Sequence, residues 1–152
     1  MNEVSFRRAS ASDLPALVAL LANDPLGQTR EDPRLPLDAR YLTAFGAIEA
    51  DPNQFLAVAV VKDRVVGTLH LTFIPGIARL GAWRGQIEAV RISSDCRGTG
   101  LGQQMLAWAI GECRHRGCHL VQLTTDKERS DAHRFYERLG FVPSHVGYKL
   151  AL

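Results

Sequence analysis

The chain holds no apolar run near the ~18 residues of a membrane-spanning helix, so no membrane partner is expected. Its N-terminus shows no signal-peptide pattern, which makes the cytoplasm the expected compartment. The three cysteines, Cys96, Cys113 and Cys118, are odd in number and lack CxxC spacing, so free thiols in a reducing compartment are expected. The five histidines show neither HExxH nor paired Cys/His spacing, which predicts no metal. Neither charge dominates: 18 basic and 16 acidic residues leave +2. The densest basic cluster, Arg114-His115-Arg116, closes a helical pattern, where cations favour the helix dipole. A nucleic-acid surface would need a stripe of such clusters, so none is predicted. Repeats and low-complexity segments are absent too. What remains, 152 residues with 46% hydrophobic and 22% charged, predicts one globular domain over residues 1–152. A chain of that length buries about two-thirds of its unfolded surface.

The stretch that organises the chain runs from Gln86 to Arg116. Gln86-Ile87-Glu88-Ala89-Val90-Arg91-Ile92 mixes apolar and polar side chains at the period of a strand. Arg97-Gly98-Thr99-Gly100-Leu101-Gly102 follows and opens a helical pattern. A strand entering a helix through a glycine-rich turn leaves backbone N–H groups free, and the helix adds about half a positive charge there. That combination is a phosphate site, to which Arg97 adds a planar cation. It is not a nucleotide-triphosphate loop, because Gln103-Gln104 stand where Lys and Ser/Thr belong. Nor is it a dinucleotide fingerprint, because the third glycine comes one residue early and Gly117 to Gln122 hold no carboxylate.

On these residues the chain resembles the GNAT superfamily of acyl-CoA-dependent N-acetyltransferases. The family's pyrophosphate loop reads Gln/Arg-x-x-Gly-x-Gly/Ala, and Arg97 to Gly102 match it. Ser94 replaces a proline that often precedes that loop. A second match is Ala132-His133-Arg134-Phe135-Tyr136-Glu137-Arg138-Leu139-Gly140-Phe141, which resembles the family's Ala-x-x-Phe-Tyr-x-x-x-Gly-Phe segment. The resemblance covers nearly the whole chain. It implies an α/β (α+β) fold: a mixed, mostly antiparallel twisted sheet of about six to seven strands, with about four helices on both faces.

The remaining patterns fit that order. Residues 3 to 9 alternate as a first strand, and Ser12 is placed to cap a helix with Leu14, Leu17, Val18 and Leu21 buried. A punctuated loop from Asn23 to Pro36 precedes a helix that Asp38 caps, with Tyr41, Leu42, Phe45 and Ile48 on one face. Gln54 to Val61 and Val65 to Phe73 read as a hairpin, with Gly67 marking a bulge. The apolar segment Phe73 to Arg84 either rims a pocket or packs between subunits. Leu101, Met105, Leu106, Trp108, Ala109, Ile110 and Cys113 give the long helix its face, and Gly117 ends it. Cys118 to Thr125 form a strand, and Phe141 with Val146 to Leu150 supply a closing strand or hairpin.

Acetyl transfer to an amine needs a neutral nitrogen, although an alkylamine titrates near ~10.4, and a stabilised departing thiolate. Glu88, sharing a strand face with Gln86 and Val90, is the base candidate. A carboxylate in so apolar a segment is expected to have a raised pKa. The alternative is a strand-end glutamate in solvent or paired with Arg84 or Arg91. By pattern alone Tyr136 is a helical core aromatic; the resemblance makes it the acid beside the coenzyme sulfur. A backbone N–H near Val90 is placed to bind the thioester carbonyl. The resemblance further implies coenzyme contacts at Val90, Arg91, Ile92, Arg97, Gly98, Thr99, Gly100, Leu101, Gly102 and Gln103. Arg129 stands where the family often has an asparagine touching the pantetheine arm, and is a candidate phosphate contact instead. Glu31, Asp32 and Tyr41 fall where the family covers its acceptor pocket.

The expected activity is therefore transfer from acetyl-CoA, without a metal, directly to a primary amine of a small molecule. A peptide N-terminus or lysine as acceptor, and an acyl-CoA sensor without turnover, are the alternatives. Cys96 reads as a loop thiol rather than a nucleophile. A homodimer is common among members of the family.

Overall fold

The structure is a computed structural model that describes residues 3–152. They fall into two compact units, one ending at Gln122 and one spanning Leu123–Leu152.

The first unit is built on the hairpin of β2 (Gln54–Val61) and β3 (Arg64–Ile74). Lys62 and Asp63 turn it with φ of 47° and 62°, the left-handed pair whose twist suits a two-residue hairpin. The ladder slips between Ala59 and Val60, beside Gly67, where the lone strand glycine predicts a bulge. β1 (Ser5–Arg8) pairs antiparallel with β2, and β4 (Arg84–Ile92) pairs antiparallel with β3. β5 (Leu120–Leu123) completes a sheet ordered β1-β2-β3-β4-β5.

Helices cover both faces. α1 (Leu14–Ala22) packs on β3 and β4, and α2 (Ala39–Ala50) on β2. Four-residue α3 (Ala78–Gly81) carries left-handed Arg79 and Leu80 inside it and leaves Ile77 and Leu80 fully exposed. α4 (Leu101–His115) packs on β4 from the other side, and β5 follows it, which makes the sheet mixed. On the α4 side Leu69, Leu71, Phe73 and Ile87 are buried with Met105 and Leu106. Trp108 stacks on Phe6 at 5.4 Å, and the Arg116 guanidinium lies 4.3 Å over the Phe73 ring while donating to the Pro52 carbonyl. The terminal cation of α4 is thus a packing group, as its place at a helix end suggests.

Three expectations are corrected. Ser12 does not cap α1: Asp13 holds the N-cap position, and Ser10 caps the 3-10 turn Ala11–Asp13 before it, its N–H and hydroxyl both donating to Asp13 Oδ2 while the Ser12 hydroxyl pairs with that of Ser10. Leu42 is exposed, because α2 turns Phe45 rather than Leu42 into the core. Among the described residues the sheet has five strands, not six to seven, because no strand follows α5 (Ser130–Arg138). Residues 141–152 keep the alternating pattern that predicts a strand, with Val142, Val146, Tyr148 and Leu150 exposed. Among the described residues their backbone enters no ladder, and alternation without a partner edge does not make a strand.

In the second unit, α5 packs Phe135 on Tyr136 and Tyr136 on Phe141, with ring centroids 5.3 and 6.0 Å apart. Gly140, at φ 94°, ends the helix as expected. Among the described residues no helix is long and apolar enough to cross a membrane.

Candidate functional site

The centre of the first unit is a break in β4. His70 pairs with Glu88, but Thr68 pairs with Arg91, so β4 carries one residue more than β3 across the gap. Ala89 absorbs it at φ 53°, a left-handed conformation that costs a residue with a Cβ about 1 kcal/mol or more. Such bulges splay a strand and turn backbone groups out of the ladder, and the register passes over both Ala89 and Val90. Glu88 and Ala89 are exposed at this point. The burial expected of Glu88 from its apolar neighbours is therefore not found.

Past Ile92 the chain turns through Ser94–Cys96 into the glycine loop. Gly98 and Gly100 sit at φ 74° and 85°, so glycine is required here by backbone conformation. A Cβ built on either would meet nothing within 4 Å, so open space adjoins the loop. The Thr99 hydroxyl donates to the Cys96 carbonyl at 2.6 Å, and Arg64 pairs with Asp95 at 2.6 Å, which pins the loop's base. The first bond of α4 runs from Gln104 N–H to the Gly100 carbonyl. The amides of Leu101, Gly102 and Gln103 precede it, without helical acceptors and at the positive end of a fifteen-residue helix. This cradle fits a pyrophosphate. It brings Arg97, Gly98, Thr99, Gly100, Leu101, Gly102 and Gln103 into one turn next to the end of β4.

Glu31, Asp32 and Tyr41 come together as well. The Tyr41 hydroxyl donates to Glu31 Oε2 at 2.7 Å and accepts from the Asp32 N–H at 3.0 Å. Burial, and then the Glu31 carboxylate, push the Tyr41 hydroxyl above its ordinary pKa. The Asp32 carboxyl is paired with Arg34, which holds it at about 2. The loop is tied to the sheet by Asp24, whose Oδ2 lies 2.7 Å from Arg91 Nε and whose Oδ1 accepts from the Gly27 N–H at 2.6 Å. Arg91 thus reaches the sheet's α1 face, and its Nε is committed to Asp24. Ile92 faces the other way, its side chain beside Gly67 and Met105.

Between α1, α2 and the sheet lies a cavity of about 160 Å³, lined by Leu17, Tyr41, Phe45, Thr68, His70 and Ala89 among others. A second cavity of similar size, beside Arg8, Glu49 and Pro52, has none of the candidate residues in its wall. The first therefore adjoins the bulge, the Glu31–Tyr41 pair and the strand of Glu88.

A polar row across this sheet face escapes a reading of single strands. Gln54 Oε1 accepts from the Thr72 hydroxyl at 3.0 Å and lies 2.7 Å from His70 Nε2. The Gln86 amide donates to Glu88, and Gln86 Oε1 accepts from Gln122 Nε2 at 2.9 Å. Gln86 is thus a partner of Glu88, while the Nε of Arg91, one of the alternative partners, is taken by Asp24. The signal was Thr68, His70 and Thr72 at every second position of an apolar strand, which marks one polar face.

In the second unit Tyr136 sits in the aromatic cluster with Phe135 and Phe141, and Arg129 occupies the N-cap of α5. Among the described residues no three His, Cys, Asp or Glu side chains are grouped to hold a metal.

Known proteins agree with this geometry. The family model for acetyltransferase (GNAT) proteins matches residues 16–141. An aminoalkylphosphonate N-acetyltransferase of Salmonella typhimurium is 39% identical over 114 residues, 74% of this chain and 72% of that one. An L-methionine sulfoximine/L-methionine sulfone acetyltransferase of Pseudomonas paraeruginosa is 30% identical over 145 residues, 90% of this chain and 79% of its own. A crystal structure of a transcriptional regulator from Bacillus halodurans C-125 superimposes with a TM-score of 0.96 at 47% identity, covering 99% of this chain and 100% of that one. With a bulged central strand leading into a left-handed glycine loop, and with these relatives, the chain belongs to the GNAT family of acetyltransferases.

Proposed function

We propose that the protein moves an acetyl group from acetyl-CoA directly to the primary amine of a small molecule, as one catalytic domain over residues 1–152. The observation that carries this reading is the succession of bulge and loop: β4 opens at Ala89, and five residues past Ile92 the glycine loop begins. In it the amides of Gly98 to Gln103 and the Arg97 side chain take the pyrophosphate. The backbone at Val90, Arg91 and Ile92 lies along the pantetheine arm, and the Val90 N–H polarises the thioester carbonyl. Glu88 draws a proton from the acceptor ammonium, directly or through water. The freed nitrogen attacks the carbonyl carbon, the carbon–sulfur bond breaks, Tyr136 donates a proton to the departing thiolate, and the second nitrogen proton replaces it on the Tyr136 oxygen. Arg129 contributes charge toward the coenzyme phosphates.

An acceptor space of about 160 Å³ is below the ~300 Å³ at which drug-sized pockets begin, which favours a compact amine over a peptide. Glu31 and Tyr41 offer a carboxylate and a hydroxyl for the ammonium, with Asp32 at the rim. The relative that acts on aminoalkylphosphonates supplies the first acceptors to try.

The test is thermal unfolding with acetyl-CoA, followed by release of CoA thiol with 2-aminoethylphosphonate, methionine sulfone and an N-terminal peptide. Saturation at 100 times the dissociation constant adds roughly 2.7 kcal/mol. A rise of roughly 5–10 °C, lost in Gly100→Glu, is expected. Thiol release should follow with a small amine. Turnover of the peptide alone moves the acceptor class, and binding without any turnover makes the protein an acyl-CoA sensor. No rise at millimolar acetyl-CoA overturns the assignment.

A further inference from the structure

We propose that His70 is a second proton-accepting group of the acceptor site, working across the sheet from Glu88. The inference rests on the acetyl-transfer reading above and deepens it. His70 and Glu88 are directly opposed in the β3–β4 ladder, a relation that puts Cβ atoms about 5 Å apart on one face. His70 also lines the cavity beside Tyr41 and Ala89, so the imidazole, unlike most polar groups of the row, borders the space an acceptor would enter.

The hydrogen bonds decide which nitrogen can act. Gln54 Oε1 accepts the Thr72 hydroxyl proton, and an amide oxygen has a second lone pair for a second donor. In the Nε2–H tautomer, His70 Nε2, 2.7 Å away, supplies it. Nδ1 is left with the lone pair that can receive a proton. Gln54 and Thr72 thereby fix the tautomer, much as a carboxylate orients a catalytic imidazole.

The groups around the ring are few. β4 contributes Glu88, β2 contributes neutral Gln54, and α2 contributes Tyr41 with its Glu31 partner. α1 faces the cavity with Leu14, Leu17, Val18 and Leu21. Burial dominates this surrounding and pushes the His70 pKa below its ordinary 6.5, with the Glu88 charge pulling the other way. The ring is therefore neutral at pH 7 and ready to accept a proton.

The step balances simply. The proton that Glu88 draws from the acceptor ammonium passes on to His70 Nδ1, leaving the neutral amine and an imidazolium that the Glu88 carboxylate stabilises. The nitrogen–carbon bond then forms, the carbon–sulfur bond breaks, and Tyr136 gives its proton to the thiolate and takes the second nitrogen proton in return. The imidazolium returns its proton to solvent as the product leaves.

The test uses the full chain, with 2-aminoethylphosphonate as the probe amine, or whichever amine of the panel above is turned over. His70→Gln should lower kcat about 100-fold, the usual size of a general-base contribution. It should leave the acetyl-CoA thermal shift and the KM for acetyl-CoA within about 2-fold of wild type, since residue 70 is not among the residues proposed to hold the coenzyme. In wild type, kcat/KM should show an acidic limb below the ordinary imidazole value, and that limb should be missing in His70→Gln. Ring ¹⁵N shifts should report the Nε2–H tautomer at pH 7. An active His70→Gln with the same acidic limb, or a ring protonated on Nδ1, overturns the proposal and leaves the acetyltransferase reading standing. Wild-type protein that binds acetyl-CoA but turns over no amine sinks the proposal together with the catalytic reading.

Discussion

Gly85 presses β4 so closely on α4 that a β-carbon at residue 85 would stand 2.3 Å from Cys113 Sγ. Cys113 is 1% exposed, and its own Cβ would lie only 3.2 Å from the added carbon. Gly85→Ala should therefore destabilise the fold by about 1–3 kcal/mol, the cost of overpacking, and lower Tm by roughly 5 °C. Cys113→Ala alone should cost about 1 kcal/mol, and the double variant less than the sum of the two. Chemical denaturation of the four proteins measures this. Additive losses would show that the contact is not what excludes a side chain.

The same burial pushes the Cys113 thiol up to about 12, so it is a thiol, not a thiolate, near neutrality. Iodoacetamide at pH 8 should label Cys96, which is partly exposed, and spare Cys113 until the protein unfolds. Mass spectrometry of the native and urea-unfolded chain separates the two. Native labelling of Cys113 at the rate of Cys96 would contradict the packing of α4 on Gly85.

Asp13 joins the first turn to β1. Arg7 donates to both of its oxygens, at 2.7 and 3.0 Å, and together with Ser10 outweighs burial to hold the carboxyl at about 2. The folded value lies below the ordinary 3.8, so the stabilisation is present above that value and is lost as pH falls from about 4 toward 2. Asp13→Asn should cost about 1–2 kcal/mol at pH 7 and almost nothing near pH 2. Asp32, Asp38 and Asp95 are held equally low by surface arginines, and surface pairs of that kind contribute little. An Asp13→Asn penalty that persisted unchanged at pH 2 would remove the ion pair as its cause.

Asp24 and Arg91 are a stronger pair, with side chains only 11% and 18% exposed. Asp24→Ala removes the carboxylate beside Arg91 Nε and frees the Gly27 amide, and should cost about 2–3 kcal/mol. Asp24→Ala with Arg91→Met should recover part of that loss. The acetyl-CoA thermal shift of Arg91→Met should match wild type if the side chain serves Asp24 alone. A lost shift would make it a coenzyme contact.

Much of this was readable in the sequence because local chemistry decided it. Left-handed Gly98, Gly100, Gly117 and Gly140 fall where a turn or a helix end needs them. Asp38 caps α2 through the Arg40 N–H, and the alternating apolar residues of β2 and β3 pair as a hairpin. What was not readable depends on partners distant in the chain. The exposure of Glu88 and the row from Gln122 to Gln54 exist only once four strands lie side by side. Residues 141–152 show the opposite failure, a strand pattern that finds no neighbouring edge. Asp24 gave no sign of its reach to Arg91, because loop composition does not encode a target on a strand.

The extra residue at Ala89 also changes the parity of β4. Along a regular strand Gln86, Glu88, Val90 and Ile92 would share one side, and Arg91 would point among the apolar residues under α4. With the frame shifted by one, Arg91 comes opposite Thr68 and meets Asp24, while Ile92 comes opposite Gly67 and meets Met105. Deleting a single residue between Glu88 and Arg91 would exchange those two destinations, burying a cation and exposing an isoleucine. The left-handed alanine is what lets one strand present a carboxylate and a guanidinium on the same face of the sheet.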